Sequence, residues 1–565
     1  MMKKTIAFLI SLSFCIISMP AYNADYRISA ESLVENGFEY DIYSDFAEIV
    51  SCNDDSENIV IPDSINGVPV KAIADNAFGE CTNLVTVTIP DSIEYITGNV
   101  FSGCTNLASI EVSENNAAYS CADGMLFNKD KTELIAVPSQ ISKAVLPDGL
   151  LTINELAFNS CSEITEIDVP ESVENIEMYA FQGCVNLESI KISDNISYAG
   201  SHAFSDTLWY NNLPDGVIYI GKIAYSYKGE MPENTEIILD EDTRSISEWA
   251  FSKQENLKSI TIPESVERIE NNAFFCCYGL ENADIPQNVT DIGADAFKFC
   301  SSLKKINIPQ SVENIGDCAF ANCTSLSDID FPDSAVYIGK TIFDNTVWLE
   351  NQPDGMVYTG KIAYGYKGEM PENTDIAIEE GIKGIACRAF ENCENLTDIT
   401  LPQSLEYIGG SSFSFCNGLT SVNIPSGVDY IGNMAFFACS SLKSVSIPEN
   451  MKTIQEKAFY QCDSLENVYY SGTEEKWNCI EIAAYNENLL NCAIHYADSS
   501  LEKGDATCDG IIDVRDVTMV NQYVVHLTDI TEQGLLNADV IADGTVDIKD
   551  LGQIKKYIIK QISEF

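Results

Sequence analysis

The amino-acid sequence predicts a mainly β solenoid of 23-residue repeats with short helices, followed by a small all-α domain. The first observation is a cysteine that recurs every 23 residues within the groups 81 and 104, 161 and 184, 277 to 323, and 393 to 462. The second is a phenylalanine three residues before each of these cysteines. The third is an acidic 13-residue run that occurs twice near the end of the chain. A fixed period of this length is typical of a solenoid, and 565 residues are too many for one compact core unless the chain is repetitive.

Residues 1–24 have the pattern of a signal peptide. Lys3 and Lys4 precede an apolar run that ends at Met19, and Ala21 and Ala24 are small residues suited to cleavage. The apolar run is short for a membrane-spanning helix. We therefore expect an exported protein that is secreted or extracellular and associated with a cell-surface complex.

The charge balance excludes two classes of partner. The chain has 86 acidic and 32 basic residues, which gives a formal net charge of -54. Nucleic-acid binding depends on neutralising phosphates with Lys and Arg, and an anionic membrane surface also attracts basic residues. We therefore expect no nucleic acid and no membrane among the partners, while local cation binding fits the charge.

One repeat, Leu419 to Cys439, shows the common pattern. Its first segment alternates apolar and polar residues up to Pro425, which predicts a short strand. A second extended segment follows, and then at most two helical turns that place Phe436 and Cys439 on one face. Stacked repeats bury these apolar positions in continuous internal columns, and no repeat is stable alone.

The cysteines of the repeats are predicted to be small buried hydrophobic residues rather than ligands or bridges. Neighbouring rungs are close enough for disulfides. However, three repeats replace the cysteine without a compensating change, with Thr207, Gln254 and Thr346. Outside the repeats, Cys479 and Cys492 are the better candidates for a disulfide.

The repeats are predicted to span residues 81–467, after an N-terminal cap and first repeat at 25–80. A C-terminal cap at 468–497 covers the other end, as solenoids require, and a short polar linker follows at 498–503.

Two insertions, residues 207–253 and 346–392, are copies of each other at an offset of 139 residues. Their Pro-Asp-Gly turns and flanking alternation predict β-hairpins that stand off the solenoid. Their aromatic residues either stack on sugars or pack each insertion onto its rung; they are Trp209, Tyr219, Tyr225, Tyr227, Trp348, Tyr358, Tyr364 and Tyr366.

The repeated pattern LxxIxIPxSVxxIGxxAFxxC resembles the BspA-like leucine-rich repeat family of bacterial surface and secreted proteins, from Phe38 to Ala497. The resemblance implies a right-handed β-α superhelix that is used for binding, usually without catalysis. The third and fifth residues of each first strand should point outward. Up to Ser446 they are small, polar or acidic and never aromatic, so they do not identify the protein or polysaccharide ligand of this face.

No catalytic motif is found. The chain has no Gly-x-Ser-x-Gly sequence, no phosphate-binding glycine loop and no histidine near a candidate nucleophile. Repeats and insertions account for nearly every residue from 70 to 470. We therefore predict that the protein is not an enzyme.

The two acidic runs have the offsets of EF-hand calcium loops, with glycine at position 6 and oxygen donors at the other key positions. The first loop offers Asp505, Thr507, Asp509, the Ile511 carbonyl, Asp513 and Asp516. The second offers Asp539, Asp543, the Thr545 carbonyl, Asp547 and Asp550. Because Ile541 at position 3 has no side-chain oxygen, we expect two Ca²⁺ sites of which the second is weaker or altered.

A duplicated calcium loop with one helix after each copy resembles a dockerin, over residues 504–563. Thr507 departs from the Asn that is usual in the family. The resemblance implies calcium-dependent docking to a cohesin module of a scaffoldin in a cellulosome. Contact positions carried over from the family are Val514, Arg515, Asn521, Gln522, Ile548, Lys549, Lys555 and Lys556. Because the two halves differ, we expect one preferred docking orientation, and the lysines suit an acidic partner surface.

Together these features predict a secreted, non-catalytic cellulosome component associated with polysaccharide degradation. It would dock through the dockerin and present the leucine-rich repeats as a binding surface. An adhesin that interacts with a host is the first alternative. A hydrolase acting on polysaccharides is the second.

Overall fold

The computed structural model describes residues 33–43, 45–335, 337–496, 503–504, 506, 512, 514–525, 530, 535, 537–541 and 545–558. These residues divide into two compact units. The first unit contains the residues up to Pro309, with Ala319–Ile329 and Asn345–Val347. The second contains Gln310–Cys318, Asp330–Asp344 and the residues from Trp348 onward. Both are mainly β, and no helix in the described ranges has the length and apolar character needed to cross a bilayer.

Each repeat contributes a first strand and a shorter second strand, and each kind stacks on its counterpart from the neighbouring repeat. The first strands up to residue 330 are β4(Asn58–Val60), β7(Thr86–Ile89), β9(Ser109–Val112), β14(Glu166–Asp168), β16(Ser189–Lys191), β20(Thr235–Ile238), β22(Leu257–Thr261), β24(Asn282–Asp284), β26(Lys305–Asn307) and β28(Asp328–Asp330). The second strands of the first unit are β6(Val68–Ile73), β8(Tyr95–Ile96), β13(Thr152–Ile153), β15(Asn175–Ile176), β17(Tyr198–Ala199), β21(Ser245–Ile246), β23(Arg268–Ile269) and β25(Asp291–Ile292).

The second unit repeats this arrangement. Its first strands are β32(Thr374–Ala377), β34(Leu396–Thr400), β36(Ser421–Asn423), β38(Ser444–Ile447), β40(Asn467–Tyr470) and β42(Ala493–Tyr496). Its second strands are β27(Asn314–Ile315), β29(Tyr337–Ile338), β33(Gly384–Ile385), β35(Tyr407–Ile408), β37(Tyr430–Ile431), β39(Thr453–Ile454) and β41(Glu481–Ile482). Parallel pairing steps by one repeat, so that Val422 lies opposite Val445 and Ile431 opposite Ile454. The fold is a leucine-rich-repeat solenoid, as predicted.

The repeated phenylalanines form stacked columns inside each unit. Successive ring centroids are 4.7 to 5.5 Å apart from Phe158 through Phe204. They are 5.1 to 5.2 Å apart from Phe390 through Phe459. These rings are fully buried. Truncating one buried phenylalanine costs about 3–5 kcal/mol, so this column is a major source of stability.

The segment around each phenylalanine is a chain of tight turns rather than the predicted helical turns. In the repeat of Phe436, the residues two before and two after it, Met434 and Ala438, have φ of 56° and 55°. Their N–H groups therefore point along the stack, to the carbonyls of Glu456 at 3.0 Å and Tyr460 at 2.8 Å. The left-handed conformation costs about 1–2 kcal/mol per residue, and the bonds between repeats offset it. The same two positions are left-handed in many repeats, including Leu156 and Ser160, Asn272 and Cys276, Arg388 and Asn392, and Lys457 and Gln461.

The two insertions form the predicted hairpins, but these do not stand off the solenoid. The first comprises α1(Leu208–Asn212), β18(Gly216–Ile220) and β19(Ile223–Lys228), and the second α2(Val347–Glu350), β30(Gly355–Thr359) and β31(Ile362–Lys367). Within each hairpin the strands pair antiparallel, and β19 and β31 then pair in parallel with β21 and β33. The prediction was wrong here because the free edge of each hairpin satisfies its backbone groups by joining the sheet.

Antiparallel strands also form the N-terminal cap and one irregular region of the repeats, and short helices form part of the C-terminal cap. The N-terminal cap is an antiparallel sheet of β1(Leu33–Glu35), β2(Phe38–Ile42) and β3(Ala47–Cys52), and β5(Ser64–Ile65) flanks β6. A further hairpin series is β10(Tyr119–Ala122), β11(Met125–Asn128) and β12(Glu133–Ala136). The C-terminal cap adds α3(Glu474–Trp477) and α4(Glu487–Leu490) between strands that continue both stacks. The last elements are α5(Val514–Val524) and α6(Ile548–Ile558).

Candidate functional site

Helices α5 and α6 enclose a small apolar core of their own. Apolar residues of the two helices meet in it: Val520, Leu551 and Ile554 are buried, and Val517, Val524 and Ile558 pack against them. Gly504 donates its N–H to the carbonyl of Asn537 at 2.7 Å. This bond joins the start of the first acidic run to the residues just before the second.

Position 12 of each predicted calcium loop, counted from Asp505 and from Asp539, holds a fully buried carboxylate, Asp516 in the first loop and Asp550 in the second. Asp550 spans its loop: Oδ1 accepts the N–H of Ile541 and Oδ2 accepts the N–H of Asp547, each at 3.0 Å. Asp547 in turn accepts the N–H of Lys549 at 2.5 Å and lies 3.4 Å from its ammonium group. A buried carboxylate needs partners, and these two backbone N–H groups supply one for each oxygen of Asp550.

The other predicted calcium ligands divide between described and undescribed residues. Asp539, Thr545 and Asp547 lie in the described second loop, whereas Asp505, Thr507, Asp509, Ile511, Asp513 and Asp543 lie outside the described residues. Among the residues described, no three His, Cys, Asp or Glu side chains gather closely enough to hold a metal ion. The ligand set therefore stays a prediction from the spacing of the loops.

The eight predicted docking residues are all exposed. The two helices are offset by 34 residues, so Val514 corresponds to Ile548 and Asn521 to Lys555. Val514 and Ile548 are 67% and 72% exposed, which leaves an apolar side chain in solvent at the start of each helix. The remaining six, Arg515, Asn521, Gln522, Lys549, Lys555 and Lys556, are also at the surface. Each half thus combines an apolar residue with polar or basic neighbours on one exposed surface.

The first strands present the polar outer face that the sequence predicts, with one feature that it missed. In β14, Glu166 and Asp168 are exposed and Ile167 is buried between them. In the last two first strands of the second unit, β40 and β42, Tyr469 and His495 occupy successive outward positions. Their rings stack at 4.8 Å, and His495 Nε2 lies 2.9 Å from Asn467 Oδ1. The parallel register of β40 and β42 could have indicated this pair.

Four of the eight aromatic residues of the insertions pack onto the repeated phenylalanines. Trp209 and Tyr225 lie edge-on to Phe204, at 5.2 and 5.6 Å. Trp348 and Tyr364 approach Phe343 at 4.8 and 5.7 Å in the second copy. Burial raises the pKa of Tyr225 and of Tyr364. Of the two interpretations left open by the sequence, packing onto the rung fits these four residues.

The cysteines of the repeats are buried thiols that bond to the backbone. In repeat after repeat, Sγ donates to the phenylalanine carbonyl of the preceding repeat at 3.0 to 3.3 Å, as Cys184 does to Phe158 and Cys439 to Phe413. Burial raises the pKa of the Cys184 thiol to about 12. Cys479 and Cys492 are both free, and their thiols donate to the carbonyls of Glu475 and Leu489. Most described cysteines therefore act as small buried residues. Cys479 is exposed, and six others are half-buried, namely Cys81, Cys121, Cys318, Cys387, Cys393 and Cys492.

Two family models match the chain. The BspA type leucine rich repeat region, in 6 copies, matches residues 51–144, 137–232, 224–350 and 364–485. The dockerin type I domain matches residues 503–559, the segment that contains both acidic runs and both helices.

Several solved structures of bacterial repeat proteins are similar to the chain. A leucine rich cell surface protein from Faecalibacterium prausnitzii is 22% identical, over 80% of this chain and 98% of its own, with a TM-score of 0.21. A leucine-rich repeat protein from Bacteroides ovatus is 18% identical, over 82% of this chain and 100% of its own, with a TM-score of 0.22. No curated protein matches the chain.

Proposed function

The chain belongs to the BspA-type leucine-rich repeat family and ends in a dockerin type I domain, and from this we propose that it is an exported, non-catalytic binding protein of a cellulosome. The dockerin domain attaches it to a cohesin module of a scaffoldin. The repeats remain available to bind a second partner. Both families are typical of extracellular or cell-surface proteins and are non-catalytic, which supports a role in binding over one in catalysis.

The observation that carries this proposal is the repeated division between buried acids and exposed contact residues in the dockerin domain. Each helix begins with an exposed apolar residue, an exposed basic residue and a buried aspartate: Val514, Arg515 and Asp516, then Ile548, Lys549 and Asp550. Buried carboxylates suit the role of holding a loop together, and exposed apolar residues beside charges suit a protein interface. The first three residues of each helix thus supply both a buried loop carboxylate and exposed residues for a protein interface.

Calcium, when bound, supplies the positive charge that holds each acidic loop closed. The residues that would hold it are Asp505, Thr507, Asp509, Ile511, Asp513 and Asp516 in the first loop, and Asp539, Asp543, Thr545, Asp547 and Asp550 in the second. Because Ile541 has no side-chain oxygen, we propose that the second site is weaker or altered. In the second loop, Asp550 already orients the backbone of Ile541 and Asp547.

Binding of the full mature chain to a panel of cohesin modules, in calcium and in a chelator, tests this proposal. We expect one cohesin class to capture the chain only in calcium. Arg515→Ala and Lys555→Ala test the first and the second half of the domain. Because we expect one docking orientation, one of these two substitutions should weaken cohesin binding about tenfold. The other should weaken it much less.

Lys452→Ala is the matched control, because Lys452 is an exposed lysine of the repeats. It should leave cohesin binding unchanged. Folded protein that binds no cohesin in calcium would overturn the proposal. Equal loss in both variants would overturn only the single orientation.

A further inference from the structure

A row of aromatic side chains crosses three successive repeats and the C-terminal cap on the outside of the second unit. The row consists of Phe415, Phe437, Tyr460 and Tyr485, and we call it the aromatic row. Its successive ring centroids are 5.2, 5.9 and 6.1 Å apart. Phe415 is 39% exposed, and the other three rings are half-buried.

These rings are not part of the phenylalanine column that builds the core. Phe413, Phe436 and Phe459 of the same repeats are fully buried and form that column. Phe415 has a φ of 61°, a conformation that is unusual for a bulky residue. The corresponding positions of neighbouring repeats hold the smaller Asn392 and Ala438. The core therefore does not require an aromatic ring at Phe415.

Backbone hydrogen bonds hold the row at the spacing of the repeats. The Phe415 N–H donates to the Phe437 carbonyl, and the Ala438 N–H to the Tyr460 carbonyl, each at 2.8 Å. A ligand that contacts all four rings must therefore be extended and must repeat at about the 5 Å spacing of stacked strands. A linear polysaccharide has these properties, because each sugar ring presents a face of C–H groups.

The surroundings of the row favour an uncharged ligand. In a chain with a net charge of -54, the turn segments 409–418 and 432–441, which carry Phe415 and Phe437, contain no charged residue, whereas the segments of Tyr460 and Tyr485 contain Glu456, Lys457, Asp463 and Glu487. Lys457, at the far end of the row, is already paired with Glu456 at 2.6 Å and lies over the Tyr485 ring at 4.6 Å. Nearby neutral groups can bond to hydroxyls, since exposed Ser440 donates to Asn417 at 3.0 Å. An acidic polymer would meet the overall negative charge without basic residues to compensate it.

We propose that the aromatic row binds a neutral, extended polysaccharide through C–H contacts with Phe415, Phe437, Tyr460 and Tyr485. Successive rings are inclined by 74°, 32° and 76°, so they present edges as well as faces to the sugars. The inference rests on the proposed function, because it names the ligand class of the repeats that the dockerin domain would carry to a scaffold. A second copy of this chain fits the row less well, because it would bring a second strongly negative surface to it.

The test uses the full mature chain in calcium, with soluble mixed-linkage β-glucan and swollen cellulose as neutral probes and polygalacturonate as the acidic one. Retention on the neutral probes is measured for the chain and for Phe415→Ser and Tyr485→Ser. An exposed aromatic contact contributes about two- to tenfold in affinity. Each substitution should therefore weaken retention on the neutral probes by that factor, and polygalacturonate should not bind.

Tyr278→Ser is the matched control, because Tyr278 is a 42% exposed tyrosine outside the row. Phe415→Tyr should retain binding, and thermal unfolding should show that all variants are folded. The proposal would be overturned if the chain bound neither neutral probe or if it preferred polygalacturonate. It would also be overturned if Tyr278→Ser weakened retention as much as Phe415→Ser and Tyr485→Ser do. Cohesin capture of the same samples separates the outcomes: if capture persists, only the polysaccharide assignment fails.

Discussion

Glu155 and Glu177 come from neighbouring repeats, and burial raises the pKa of each carboxyl group. For Glu177 burial is the larger cause and the charge of Glu155 the smaller, and together they raise its pKa to about 7 from the ordinary 4.5 of a glutamate. Between these values the native state binds more protons than the unfolded state. The free energy of unfolding therefore falls as the pH rises from about 4.5 to about 7.

Glu177→Gln should remove this pH dependence. We expect the variant to be more stable than the parent chain by about 1–3 kcal/mol at pH 8, where the parent carboxylate is charged, and nearly equal to it at pH 5. Urea unfolding at both pH values measures the difference. Glu174→Gln, at an exposed neighbouring position, is the control. A gain of the same size at pH 5 would contradict the titration.

The thiols of the described residues differ sharply in accessibility. Cys184 and Cys277 are fully buried and burial raises the pKa of each thiol to about 12, whereas Cys479 is exposed. Because the thiolate is the reactive form, alkylation of the native chain should label Cys479 rapidly and the repeat cysteines only after unfolding. Peptide mass spectrometry locates the labels. Rapid labelling of Cys184 in the native chain would contradict the tight packing of the stack.

Each inserted segment is fixed by one lysine that bonds to the carbonyls at the end of its short helix. Lys367 Nζ donates to the carbonyls of Glu350 at 2.6 Å and Gln352 at 2.5 Å, and Lys228 bonds to Asn211 and Leu213 in the first copy. Lys367→Met keeps the apolar stem but leaves both carbonyls without this donor. We expect a loss of about 1–3 kcal/mol and faster hydrogen exchange over residues 346–367.

Lys361→Met is the control for that loss. Lys361 lies in the same hairpin and makes only an exposed ion pair, at 3.5 Å to Asp333. Such pairs contribute about 0–1 kcal/mol. Equal destabilisation by both substitutions would show that Lys367 acts through its charge rather than through its bonds to the helix end.

The sequence predicts the strands and hairpins better than it predicts the contacts between neighbouring repeats. The 23-residue step predicts the rungs because that signal is local. The hairpins turn at Gly221 and Lys222 and at Gly360 and Lys361, whereas the Pro-Asp-Gly sequences that predicted them lie at the start of β18 and β30. The left-handed residues are not predictable from residue type, since Met434 and Ala438 adopt that conformation to bond with the next repeat. The aromatic row is equally hidden. Phe415 follows its core phenylalanine by two residues and Tyr460 by one, so the row has no fixed period in the sequence.

Across the whole molecule, buried charge is distributed differently in the repeats and in the dockerin domain. The repeats are held by stacked phenylalanines and by hydrogen bonds between backbone groups. The dockerin core is small, with Val520 and Ile554 among its few fully buried residues, and it also buries Asp516 and Asp550. A small core that encloses two carboxylates should depend on a bound cation, whereas the repeats should not.

Calorimetry of the full mature chain should therefore show two classes of unfolding transition that respond differently to calcium. A ligand at 100 times its dissociation constant stabilises the folded state by about 2.7 kcal/mol, so a chelator should lower the dockerin transition and leave the repeat transitions in place. Asp550→Asn should reduce the calcium-dependent shift, because Asp550 closes the second loop through Ile541 and Asp547. Asp242→Asn, at an exposed aspartate of the repeats, is the control. If the chelator lowered all transitions together, calcium would bind within the repeats as well, and the assignment of the cation to the two acidic loops alone would fail.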